Sequence, residues 1–220
     1  MKKKYLYPLL SVLVLLVVSL LFFSPEAFEG KVLQQHDVMQ GIANGQEGKA
    51  YAAETGNVTR WTNSLFGGMP NFQIAPSYPA NKTLEFIGKA YMLWLPAPAN
   101  LLFGMMLGFF IMLLCFKVRW SNALFGAIAW GFSTYFIILI GAGHIWKYLT
   151  LAYVPPCIGG IALCYRGKYL PGTALATLFG ALQLQSNHPQ MSYYFMFVIV
   201  AMMVAWLCTA IKQKTVKSWL

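Results

Sequence analysis

The chain has 220 residues, of which 58% are hydrophobic and only 10% charged; a soluble domain carries about 25% charged residues. The net charge is +10, yet the positive residues form small clusters between apolar runs, which is how membrane topology is written. Nucleic-acid binding is therefore excluded as the reason for the basic balance. All six acidic residues (Glu26, Glu29, Asp37, Glu47, Glu54 and Glu85) lie in the first 85 positions, so the first third of the chain differs chemically from the rest.

A bilayer core of about 30 Å needs about 20 apolar residues of helix. The first such run is Leu6 to Phe23, preceded by Lys2, Lys3 and Lys4. It is longer than a signal-peptide core and no small-x-small cleavage site follows, so it reads as a retained membrane helix. A polar segment runs from about Ser24 to Pro96. Within it, residues 32–54 predict a modest helix broken near Gly41 or Gly45. Gly67-Gly68-Met69-Pro70 and Ala75-Pro76-Ser77-Tyr78-Pro79 mark turns. Residues 83–95 predict an interfacial helix with Leu84, Ile87, Tyr91 and Trp94 on one face.

Five more apolar runs follow: Ala97–Phe116, Asn122–Ile140, Trp146–Cys164, Leu170–Leu184 and Met191–Ile211. Pro155 and Pro156 should kink or split the fourth run of the chain, because each removes a backbone donor. Cys115, Cys157, Cys164 and Cys208 all fall in or at the end of apolar runs, as small buried residues rather than a disulfide or zinc framework.

The expected architecture is an all-α integral membrane protein of about six transmembrane helices. Residues 1–23 form the first helix, 24–96 a long extracytoplasmic loop, and 97–220 helices two to six with short loops. Lys2–Lys4, Lys117 with Arg119, Arg166 with Lys168, and Lys212, Lys214 and Lys217 then all fall on one side, without an acid among them. That side is cytoplasmic by the positive-inside rule, and both termini lie there.

The three histidines, His36, His144 and His188, then share the outer face, in three separate loops. Ionisable groups at membrane depth mark functional sites by default. Asp37 is the candidate catalytic carboxylate, as a general base worth about 10²–10⁴ in rate or as a ligand for a divalent cation. His144, Lys147 and His188 suit an anionic leaving group, since a cation and a phosphate make a charge-assisted hydrogen bond. Asn57-Val58-Thr59 and Asn81-Lys82-Thr83 fit the glycosylation pattern, which matters only in a eukaryotic secretory route.

Four motifs in this order carry a resemblance: Gln35-His36-Asp37; Trp61 to Pro70 (WTNSLFGGMP); Gly143-His144 with Lys147; and Asn187-His188-Pro189-Gln190 followed by Tyr193-Tyr194. Together they resemble the YfhO-like bacterial membrane proteins, a family similar to the GT-C glycosyltransferases. The resemblance spans roughly residues 24–195. It implies transfer of a sugar from a polyprenyl-phosphate donor, on the outer side of the bacterial inner membrane. Asp37 matches the acidic residue of the first outer loop, and His144, Lys147 and His188 would face the donor phosphate. His36, Asn187, Gln190 and Tyr193 would line the donor site. Many GT-C members pair two acids, whereas Asp37 follows His36, so metal dependence stays open. Members of the family are longer, so the chain looks like an N-terminal portion or a short relative, with the remainder of a longer chain or other membrane subunits as partners. Two rival classes are a transporter or flippase subunit and a non-catalytic assembly protein.

Overall fold

A computed structural model describes residues 2–71 and 81–216, with side chains from Leu6 onward. The turn segment around Ala75–Pro79 and the cation Lys217 lie outside the described residues. The described part is mostly helical. Its elements are α1 (Lys2–Phe22), α2 (Ser24–Phe28), α3 (His36–Asn44), α4 (Gln46–Thr55), strands β1 (Trp61–Thr62) and β2 (Met69–Pro70), α5 (Lys82–Tyr91), α6 (Ala99–Cys115), α7 (Trp120–Gly131), α8 (Thr134–Ala142), α9 (Ile145–Tyr165), α10 (Tyr169–Gln185) and α11 (Pro189–Lys212). Among the described residues, α9 and α11 are each long and apolar enough to cross a membrane. The pair α7–α8 makes a third candidate if its two halves are one span bent by 47°. Shorter apolar helices occupy Leu6–Phe22 and Ala99–Cys115.

Every apolar run of the sequence lies in a helix or, for the third, in a pair of helices, but the expected break is in a different place. Helix α9 is continuous through Pro155 and Pro156. A proline already has the φ of a helix, and what it lacks is the N–H that would bond the carbonyl four residues earlier. Pro156 thereby frees the Ala152 carbonyl, which is turned toward α6. A β-carbon on Gly108 would lie 2.6 Å from that oxygen and 3.1 Å from the Pro156 ring. Gly108 thus lets α6 cover the unpaired stretch of α9. The real break is at Phe132-Ser133, where Ser133 is extended at φ −54°, ψ 132° and no side chain caps the next helix.

Helix α6 sits at the centre. Leu102, Phe103, Met105 and Met106 are fully buried among α1, α7, α8 and α9. A second apolar cluster joins Met92, Tyr153, Cys157, Phe179, Leu182 and Phe195 from α9, α10, α11 and the end of α5. Helix α9 contributes to both clusters. Helices α9 and α10 make the most extensive contact, where Gly160 meets the backbone of Gly172 and Ala176.

The described residues before α6 hold more regular structure than the turn residues suggest. The break between α3 and α4 falls at Gly45, as the glycines indicate. Helix α5 ends at Tyr91, four residues short of the predicted end. Leu84, Ile87 and Tyr91 pack into the second cluster, and the Tyr91 hydroxyl donates to the Gly104 carbonyl at 3.0 Å. Trp94 leaves that face: it has φ +50° in the turn that follows and packs edge-on against Phe86. The WTNS motif forms a short hairpin instead of an open loop, with Trp61 opposite Pro70 and Thr62 opposite Met69.

The Gly108 contact yields a prediction. Gly108→Ala should lower the unfolding midpoint of the detergent-solubilised protein, by about 1–3 kcal/mol for an overpacked core position. Gly41→Ala, where the added methyl meets nothing within 4 Å, should leave it unchanged or slightly raised. Equal midpoints for wild type and Gly108→Ala would contradict the close crossing.

Candidate functional site

The start of α3 and the α8–α9 corner meet through three contacts. Gln35, the residue before α3, donates its side-chain amide to the Ile140 carbonyl at 2.5 Å. Gly143 closes α8 in the left-handed conformation at φ +89°, and a β-carbon there would lie 2.9 Å from Gln35 Cβ and 3.2 Å from Val38 N. Between these anchors, Asp37 Oδ2 lies 2.8 Å from His144 Nδ1. Gln35 occupies the N-cap position of α3, so Asp37 belongs to the first turn, where a carboxylate also suits the helix dipole. The Asp37 side chain is 39% exposed and that of His144 is 48% exposed. Asp37 Oδ1 makes no hydrogen bond to any described residue.

Lys147 lies one turn beyond His144, with Nζ 5.4 Å from the centre of the Tyr135 ring. This is cation–π range, and it holds the ammonium at the same corner. His188 precedes α11, and its Nδ1 accepts the Met191 N–H at 3.4 Å, which leaves the neutral ring's proton on Nε2. Burial lowers the His188 pKa first, and the charges of Lys147 and His144 lower it further. His188 is therefore within electrostatic range of both.

The other sequence-derived candidates have local partners. His36 Nε2 lies 3.0 Å from the Gln40 side-chain nitrogen, one turn along α3. Gln190 donates to the Tyr194 hydroxyl at 3.1 Å. Tyr193 is exposed and packs edge-on against Phe197. Asn187 shapes the α10–α11 turn at φ +51°. None of these four is bonded to Asp37, His144 or Lys147. Among the described residues, no three His, Cys, Asp or Glu side chains gather as a metal site.

Two features were not singled out in the sequence. Glu47 in α4 clamps the hairpin: its carboxylate accepts from the Thr62 hydroxyl at 2.6 Å, the Asn63 and Ser64 amides at 2.8 and 3.1 Å, and the Asn63 side chain at 2.9 Å. The Thr62 hydroxyl and then the Asn63 bonds hold its pKa below the ordinary glutamate value. The second feature is a cavity of 490 Å³ between α5, the start of α6, the first turns of α9 and the end of α10. The signal for it in the sequence was one asparagine, Asn100, at the head of an apolar run and one glutamine, Gln185, at the tail of another.

No protein family, characterised protein or solved structure matches the chain. What the coordinates support is a class: a mostly helical protein with two or three helices able to cross a membrane.

Two predictions follow from these contacts. A histidine whose folded pKa is depressed leaves stability intact above its unfolded value and reduces it as pH falls below, since the unfolded chain takes up the proton first. NMR titration of ring-labelled His188 should therefore give a pKa below the ordinary histidine range, and Lys147→Gln should raise it; a pKa at or above that range would contradict the placement. For Glu47 the depressed pKa means that hairpin stability is complete above the ordinary glutamate range and is lost as pH falls through the folded value. Glu47→Gln should expose the Asn63 and Ser64 amides to hydrogen exchange at all pH values. Unchanged protection would argue against the clamp.

Proposed function

We propose that the chain is a bacterial inner-membrane protein akin to the YfhO-like and GT-C proteins, which transfers a sugar from a polyprenyl-phosphate donor to a hydroxyl acceptor on the outer face. In this reading the chain crosses the membrane six times, through α1, α6, α7–α8, α9, α10 and α11. Both termini are cytoplasmic, and the segment holding α2 to α5 is outside. The basic residues at the α6–α7, α9–α10 and C-terminal turns support that orientation.

The observation that carries the reading is the Asp37–His144 contact at 2.8 Å. It joins two loops more than a hundred residues apart on the face where the resemblance places the chemistry. The free Asp37 Oδ1 would accept the proton of the acceptor hydroxyl. The acceptor oxygen would bond to the anomeric carbon as the bond from that carbon to the phosphate oxygen breaks. The phosphate would depart with the bonding electrons toward Lys147 and the His144 ring, with His188 donating from Nε2. His36, Asn187, Gln190 and Tyr193 remain candidates for the surrounding donor surface.

One observation favours a second reading. The 47° bend between α7 and α8 is a discontinuous span, the kind of element that builds transport sites. Movement of a solute across proteoliposomes without any sugar transfer would support that rival.

Asp37→Asn tests the proposal. It should lower turnover of lipid-linked sugar by about 10²–10⁴-fold in membranes containing the variant, with membrane insertion unchanged. Wild-type turnover in that variant would remove Asp37 from the mechanism.

A further inference from the structure

The cavity beside the Asp37–His144 corner has its own chemistry. Its walls are mainly apolar, including Met92, Leu95, Leu101, Leu149, Tyr153 and Leu182. Its size lies within the range of about 300–1,000 Å³ typical of small-molecule sites. The charged residues in its lining are Glu85 and Lys89, and they are paired at 2.7 Å. The lining is therefore neutral overall, with its cation already committed. The Ser186 hydroxyl is used by the Leu182 carbonyl at 3.0 Å. Asn100 and Gln185 differ: neither carboxamide bonds to any described residue, and both side-chain oxygens are buried. A buried acceptor without a donor costs free energy, and native structures hold few of them. Two such groups around one cavity mark the place where a ligand supplies the partner.

The structure assigns this cavity, we infer, as a binding site for an uncharged, polyhydroxylated amphiphile. A carboxamide both donates and accepts, and so does a hydroxyl, so the two match without charge. An anionic head would find no unpaired cation in this lining. The tail has a path as well: Trp94 and Trp146 line the cavity and are about three-fifths exposed, and Phe86 packs on Trp94. Aromatic rings of this kind favour the headgroup level of a bilayer. Ile145 and Trp146 sit between His144 and Lys147 in the chain, so cavity and charged corner share the first turn of α9. Taking the bound amphiphile as the sugar acceptor rests on the transfer reading; the binding itself does not.

The test uses the full chain in phosphatidylcholine nanodiscs and an alkyl glucoside carrying a diazirine on its chain. Saturable photolabelling is expected on residues 84–101, 145–153 and 182–186. Octyl glucoside should compete at least about tenfold better than its permethylated analogue, the loss expected from two or more hydrogen bonds. Free glucose should not compete at the same concentration. Gln185→Leu should weaken competition by octyl glucoside and leave the permethylated analogue unaffected. The analogue removes the same hydrogen bonds without altering the protein, so a misfolded variant cannot decide the outcome. Labelling spread evenly over lipid-facing helices, or equal competition by the permethylated compound, would overturn the assignment. Equal competition by free glucose would overturn its amphiphile part. Asp37→Asn should label as wild type does; loss of transfer with labelling intact separates failure of the chemistry from failure of this site.

Discussion

The arrangement depends on the close crossing of α6 and α9 at Gly108. Close packing of the two backbones holds them together there, as small residues allow at helix crossings. Pro155 and Pro156 weaken α9 internally by removing two donors in succession. The glycine of α6 admits the exposed Ala152 carbonyl and the Pro156 ring at distances that any side chain would block. The weakness of one helix is thus covered by the smallness of the other. With the middle of α9 fixed, its first turn is fixed too, and that turn carries His144, Trp146 and Lys147. Its other faces enter both apolar clusters, so the corner and the cavity inherit their geometry from this one contact.

The Asp37–His144 pair does not hold α3 in place by itself. Partly exposed ion pairs contribute about 0–1 kcal/mol. The anchoring comes from the Gln35 bond to the Ile140 carbonyl and from the close fit of Gln35 and Val38 against Gly143. Gly143 can adopt φ +89° without a Cβ penalty, and the turn it makes is what brings the Ile140 carbonyl and the His144 ring to one side. The pair is therefore held by its scaffold. Glu47 works differently. One carboxylate gathers four donors and gives the hairpin a shape that its two-residue strands could not hold alone.

Much of this architecture was legible because hydrophobic length is a local property. Each apolar run is helical, the Gly45 break is where the glycines suggest it, and Leu84, Ile87 and Tyr91 share the face that their spacing indicates. The failures have one cause: the deciding partner was distant in the chain. Pro155 and Pro156 read as a break because Gly108 is not their neighbour in sequence. Phe132-Ser133 carries no proline, and Gly131 sits tightly against Met106 of α6. Trp94 fits the helical spacing of α5, but the helix ends before it. Asp37 could be singled out as the lone acid beside a histidine, whereas its contact with His144 depends on the docking of α3. Gln185 could be read as part of the polar end of its apolar run, whereas its sharing a cavity with Asn100 depends on how α5, α6, α9 and α10 pack.

The first turn of α9 separates two environments that would otherwise interfere. On one side are Asp37, His144 and Lys147, with the His188 pKa lowered by burial and by the charges of Lys147 and His144. On the other is a cavity whose single acid and base cancel and whose free polar groups are amides. The first side carries charged groups, whereas the free amides of the second match a hydroxylated, uncharged group.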